Sequence, residues 1–102
     1  MQLAQPVSFG HHLLAWQEMF ARDEQRILQV KDSISVMPLG SAALSGSPYK
    51  IDRRLVAKKL GFKTISLNSM DAVSDRDFVC DFAYSCSMIM IHLSRISEEL
   101  IY

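Results

Sequence analysis

Few residues in this chain have the chemistry of a ligand, base or nucleophile, and their spacing limits what each can do. His11 and His12 are adjacent. Neighbours on a helix point about 100° apart, so the two imidazoles do not close on one metal ion. Glu18, seven residues from His11, is a single stray ligand. The pair is read as packing plus a helix-start hydrogen bond, and no metal is expected. His92 lies in the most apolar stretch of the chain and is read as a satisfied core histidine rather than a catalytic base. Cys80 and Cys86 are separated by roughly 9 Å of helical rise, beyond the Cα separation a disulfide tolerates. They are read as core thiols, and Met70, Met88 and Met90 as core fillers.

The most functional-looking polar group is Ser74–Asp77, with the sequence SDRD. Arg76 has the planar fork that grips a carboxylate bidentately. The competing reading, which is favoured, is a structural polar network of Asn68, Ser69, Asp71, Ser74, Asp75 and Asp77 at a helix start. Gln2 and Gln5 offer amides either to a substrate or to a helix end. Lys50, Arg53, Arg54, Lys58, Lys59 and Lys63 form a basic run relieved by Asp52. It lacks the interleaved aromatics or recognised motif of a nucleic-acid surface and is read as a solvated helix face.

The elements that must position these residues are helices. Phe9, Leu13, Trp16, Phe20, Ile27, Val30 and Ile34 repeat in steps of three and four, broken only at Asp23. Leu14, Ala21 and Leu28 add a second apolar row, so this face meets more than one neighbour. A helix is expected over about 8–36, with Ser8 as N-cap and Pro38 and Gly40 past its end. A connector follows. Within it, Ile51, Leu55, Val56 and Leu60 mark a short helix over about 51–60, closed by Gly61. Phe62 to Leu67 (FKTISL) alternates faintly but has no evident partner strand and is read as extended loop. A third helix is expected over about 75–102, with Ser74 and Asp77 as a capping-box-like start. From Phe78 to Leu93 it is apolar nearly all round, so every side must be buried.

The chain has 102 residues, with 11 Lys plus Arg against 11 Asp plus Glu. Zero net charge gives no electrostatic case for nucleic acid or an anionic membrane surface. Its apolar stretch is shorter than the ~20 residues a membrane span needs. Two cysteines are too few for a disulfide scaffold. Residues 1–10 lack the basic and apolar regions of a signal peptide. A cytoplasmic, reducing setting is the default. Two long helices and a short one cannot surround the third helix, so further helices are expected from more sequence or from other subunits. The fold class is all-α, and residues 1–102 are read as part of a larger helical bundle.

Four stretches carry a resemblance. QLAQPVSFGHHLLAWQEMFARD (Gln2–Asp23), MPLGSAALSGSPYKIDRRLVAKKLGF (Met37–Phe62), NSMDAVSDRDFV (Asn68–Val79) and HLSRISEELIY (His92–Tyr102) together resemble argininosuccinate lyase. The likeness is ordered and covers essentially the whole chain. The third stretch and the Gly-Ser-rich connector are more typical of that family than of its fumarase and aspartase relatives. The resemblance implies a long central helical bundle, packed four subunits together as a homotetramer. It implies β-elimination of argininosuccinate to arginine and fumarate without a metal or organic cofactor. That reaction needs a base, groups that hold a doubly charged carboxylate, and an acid for the guanidinium leaving group.

Little of that machinery matches residues here. The family's Thr-His pair falls just before the resembling stretch, and its Gly-Ser-Ser loop falls after it. GSAAL at Gly40–Leu44 lacks the second Ser and the Met-Pro-Lys-Asn run of that loop. No catalytic residue is assigned, and the chain alone is expected to be inactive. Gln2, Gln5 and Arg76 are the substrate-binding candidates. The competing reading is a non-catalytic helical oligomerisation module, a use with precedent in lens crystallins that resemble this enzyme. A generic helical ligand-binding domain has only the apolar helices in its favour.

Overall fold

A computed structural model describes residues 2–101. Two 25-residue helices dominate it: α1 over Phe9–Ser33 and α4 over Asp77–Ile101. They pack against each other in antiparallel sense, and a small connector unit joins them at one end. Ser8 caps α1, its Oγ accepting from the His11 N–H at 3.2 Å. Ile34 closes the helix through its N–H to the carbonyl of Val30.

The connector holds four short elements besides its loops. Strand β1 (Val36–Met37) pairs in parallel with β2 (Thr64–Ile65), Val36 opposite Thr64 and Met37 opposite Ile65. FKTISL is therefore partly strand rather than loop throughout. Its partner is only two residues long, and a two-residue strand carries no readable alternation. Helix α2 (Arg53–Leu60) is capped by Asp52, whose Oδ1 accepts from the Leu55 N–H at 3.0 Å. Gly61 ends it at φ +80°, the left-handed conformation that glycine adopts without a Cβ penalty.

Helix α3 (Ser69–Ser74) was not expected. Asn68 caps it, accepting from the N–H groups of Met70 and Asp71. Ser74 is therefore the last residue of α3 and not the cap of α4. Its Oγ turns back to the carbonyls of Met70 and Asp71. Asp75 takes up the role at the start of α4, its Oδ1 accepting from the Asp77 N–H at 2.8 Å. The expected extension of that helix to residue 102 lies outside the described residues.

Little of the chain is buried by the chain itself. Its radius of gyration is 21.3 Å, with extents of 70 × 22 × 17 Å. A compact domain of this length has about 13 Å. Met19, Val30, Met37 and Ala57 are its buried apolar side chains among the described residues. On α4 only Ser85 and His92 are buried, both towards α1, while Phe82 is 55% and Met90 63% exposed. The methionine and cysteine expectations change accordingly: Met70, Met90 and Cys80 are exposed within this chain. Their sequence surroundings are those of a core, but the described residues cover only one side of these helices. Among the described residues no helix is long and apolar enough to cross a membrane.

Candidate functional site

Among the described residues, the buried titratable groups, Asp23 and His92, lie in the seam between α1 and α4. Asp23, the single break in the apolar repeat of α1, is 4% exposed. Its Oδ2 lies 2.6 Å from Nδ1 of His92, which is 5% exposed and comes from the middle of α4. Its Oδ1 accepts from Nη1 of Arg26 at 2.8 Å, one helical turn along α1. A carboxylate oxygen accepts, so the contact is a hydrogen bond in the form of His92 that carries a proton on Nδ1. Arg26 keeps its guanidinium half-buried beside the carboxylate and balances its charge in place. Asp23 thus sits between two donors that reach it from different helices.

A second cluster closes the seam at the N-terminal end of α1. Glu99 Oε2 accepts from Trp16 Nε1 and lies 3.2 Å from His12 Nε2. The His12 ring stands edge-on to Trp16 at 5.0 Å and stacks on Phe9 at 6.4 Å. His11 and His12 therefore diverge. The backbone of His11 takes the Ser8 cap, while the ring of His12 crosses to α4. Among the described residues no three His, Cys, Asp or Glu side chains converge as a metal site would require.

The residues singled out from sequence lie elsewhere. Gln2 and Gln5 are exposed in the segment preceding α1. Arg76 is also exposed, and its Nη1 donates to the backbone carbonyls of Val73, at 3.1 Å, and Asp75. Asn68, Ser74 and Asp75 each bond to nearby backbone, as described above. Among the described residues no ion pair joins Asn68, Ser69, Asp71, Ser74, Asp75, Arg76 and Asp77 to one another. Their bonds are those of two successive helix ends.

One member of the basic run is not a solvated residue. Arg53 Nε donates to the Leu39 carbonyl at 2.7 Å, and its Nη2 to the carbonyl and Oγ of Ser66 at 2.9 and 2.7 Å. It braces the two loops that follow β1 and β2. Gly40 makes room for it: at φ +96°, a Cβ there would lie 2.9 Å from Arg53 Cδ. Lys63 reaches back to pair with Asp32 at the surface.

The Asp23–His92 pair was within reach of the sequence in part. A lone acid in an apolar repeat and a lone histidine on an apolar helix each ask for a partner. Nothing local says that they answer each other across 69 residues.

A family model described as lyase matches residues 1–102. The argininosuccinate lyase of Acinetobacter baylyi is 58% identical over 101 residues, covering 99% of this chain and 21% of that protein. That of Moorella thermoacetica is 58% identical over 102 residues, covering 100% of this chain and 22% of the relative. A crystal structure of EDDS lyase in complex with formate superposes with a TM-score of 0.91 at 32% identity, over 95% of this chain and 20% of that one. The chain therefore spans about a fifth of the length of the curated relatives it matches.

Proposed function

From the premise that this chain belongs to the lyase family of the fumarase/aspartase superfamily, we propose that the full-length protein is an argininosuccinate lyase. It would split argininosuccinate into arginine and fumarate by β-elimination, in arginine biosynthesis and in the cytoplasm. The observation that carries this reading is the 58% identity to argininosuccinate lyases across essentially the whole chain.

In this reading residues 1–102 supply bundle scaffold and hold no catalytic residue. Gln2 and Gln5 are the side chains nearest a substrate role. Each amide offers both donors and an acceptor, which suits a ligand carrying carboxylates and a guanidinium. Arg76 would have to give up its carbonyls at Val73 and Asp75 to grip a carboxylate, which ranks it below the glutamines. No cofactor is required.

Self-association through the bundle helices, to a homotetramer, completes the reading. Phe82, Met90 and Leu93 lie exposed along α4. Apolar side chains in such a row stabilise a fold only when something covers them, by about 25 cal/mol per Å² removed from water.

The test is to supply the purified full-length protein with argininosuccinate and follow both products. Fumarate and arginine should appear in equal amounts. A folded protein that releases neither would overturn the assignment and favour the oligomerisation-module reading, for which the same uncovered α4 face speaks.

A further inference from the structure

Three positions of α1 meet three positions of α4 at seven-residue steps that run in opposite directions. Trp16 bonds to Glu99, and Asp23 bonds to His92. Val30 and Ser85 are both buried and line one small cavity together. Seven residues are two helical turns, the step by which a helix seam can slip and still present its apolar face.

We infer that the Asp23–His92 contact is the register lock of this helix pair. The apolar rows of α1 and α4 do not by themselves distinguish one seven-residue alignment from the next. The polar residues do. Slipped one way, Asp23 comes level with Glu99, carboxylate facing carboxylate, and His92 comes level with Val30. Slipped the other way, Asp23 meets Ser85 and His92 meets Trp16. The first slip opposes two carboxylates and leaves His92 beside an apolar side chain, a buried polar group without a partner; the second exchanges the Asp23–His92 contact for a hydroxyl on Asp23 and brings Glu99 level with Phe9, away from its indole donor. Arg26 lies on the same helix as Asp23, with Nη1 2.8 Å from Oδ1, so it accompanies the carboxylate whichever alignment is tried. The connector is a weaker restraint. Its packing is mainly internal, β1 on β2 and α2 on β2, and α3, which leads into α4, has no buried residue.

The lock predicts a separation of stability from specificity. Asp23→Leu combined with His92→Leu replaces the pair by apolar side chains, a change that often leaves a fold intact and that in some helix pairs removes the choice of register. Spin labels at cysteines placed on the exposed positions Lys31 and Arg95 would read the alignment. The full-length protein would carry no other cysteine, Cys80 and Cys86 being replaced by Ser, and labelled subunits would be diluted into unlabelled ones. The parent should give one distance. The double variant should remain helical and add a second distance, displaced by several ångströms as an axial shift of about 10 Å, the rise of seven residues, requires. A single, unshifted distance in the folded double variant would overturn the inference, because apolar packing or the connector would then suffice. His92→Leu alone, in which Asp23 keeps Arg26, carries the same expectation and decides the matter if the double variant does not fold.

Discussion

At the scale of single residues, Asp23 is the most buried charged side chain among the described residues. It is buried, charged and held by donors from two helices. Its removal leaves Arg26 and His92 facing an apolar seam, whereas removal of His92 leaves Asp23 with Arg26. Asp23→Ala in the full-length protein is expected to cost about 3 kcal/mol, the cost of breaking a buried pair from one side. His92→Ala should cost less, roughly 1–3 kcal/mol, as for an unmade buried hydrogen bond. Denaturant unfolding of the two variants would check the order, and a larger loss for His92→Ala would contradict this account of the cluster. Lys63→Ala, at the exposed pair with Asp32, should change stability by less than about 1 kcal/mol.

At the scale of elements, the connector depends on one cation. Arg53→Ala removes three hydrogen bonds that tie the loop after β1 to the loop after β2. Bonds to a charged donor contribute roughly 1.5–3 kcal/mol, so the connector should loosen while α1 and α4 hold. Hydrogen exchange should report faster amides at Phe62–Ser66, which bond to Ala57, Ser35 and Met37, than in the parent. Gly40→Ala should act on the same brace by two routes: its φ of +96° is unfavourable for alanine, and the new Cβ would press on Arg53 Cδ. A loss of about 1–3 kcal/mol is expected from such a strained position.

The elements also mark what a sequence reveals and what it hides. The step of three and four from Phe9 to Ile34 announces α1, and Ser8 announces its cap, because both signals are local and repeat over several turns. Asp52 and Gly61 bracket α2 in the same way. The β1–β2 pair is silent, since Val36–Met37 gives no periodicity and its partner lies beyond α2. Helix α3 is silent for a related reason: six residues make less than two turns, and Asn68 reads equally well as loop. Arg53 looked like its basic neighbours because its acceptors are backbone carbonyls, which any sequence has. The Asp23–His92 contact was visible only as two separate anomalies, since the pairing is a property of the tertiary alignment.

At the scale of the whole molecule, the described residues form an elongated helical unit with an uncovered apolar side. With a radius of gyration of 21.3 Å, α4 faces α1 on one flank, and its other flank is largely uncovered by the described residues. Under the proposed assembly that flank lies inside a bundle of several subunits. Phe82→Glu in the full-length protein should then shift the population from tetramer to smaller species, read as molar mass by light scattering. An unchanged tetramer would show that Phe82 lies outside the interface.

The most direct measurement compares fumarate release by the full-length protein with release by residues 1–102 alone, at equal molar concentration and with argininosuccinate as substrate. With scaffold in this stretch and the chemistry in the rest of a lyase subunit, the full-length protein should sustain release, and the 102-residue chain should match the buffer blank. Turnover by the 102-residue chain, or none by the full-length protein, would contradict this assignment.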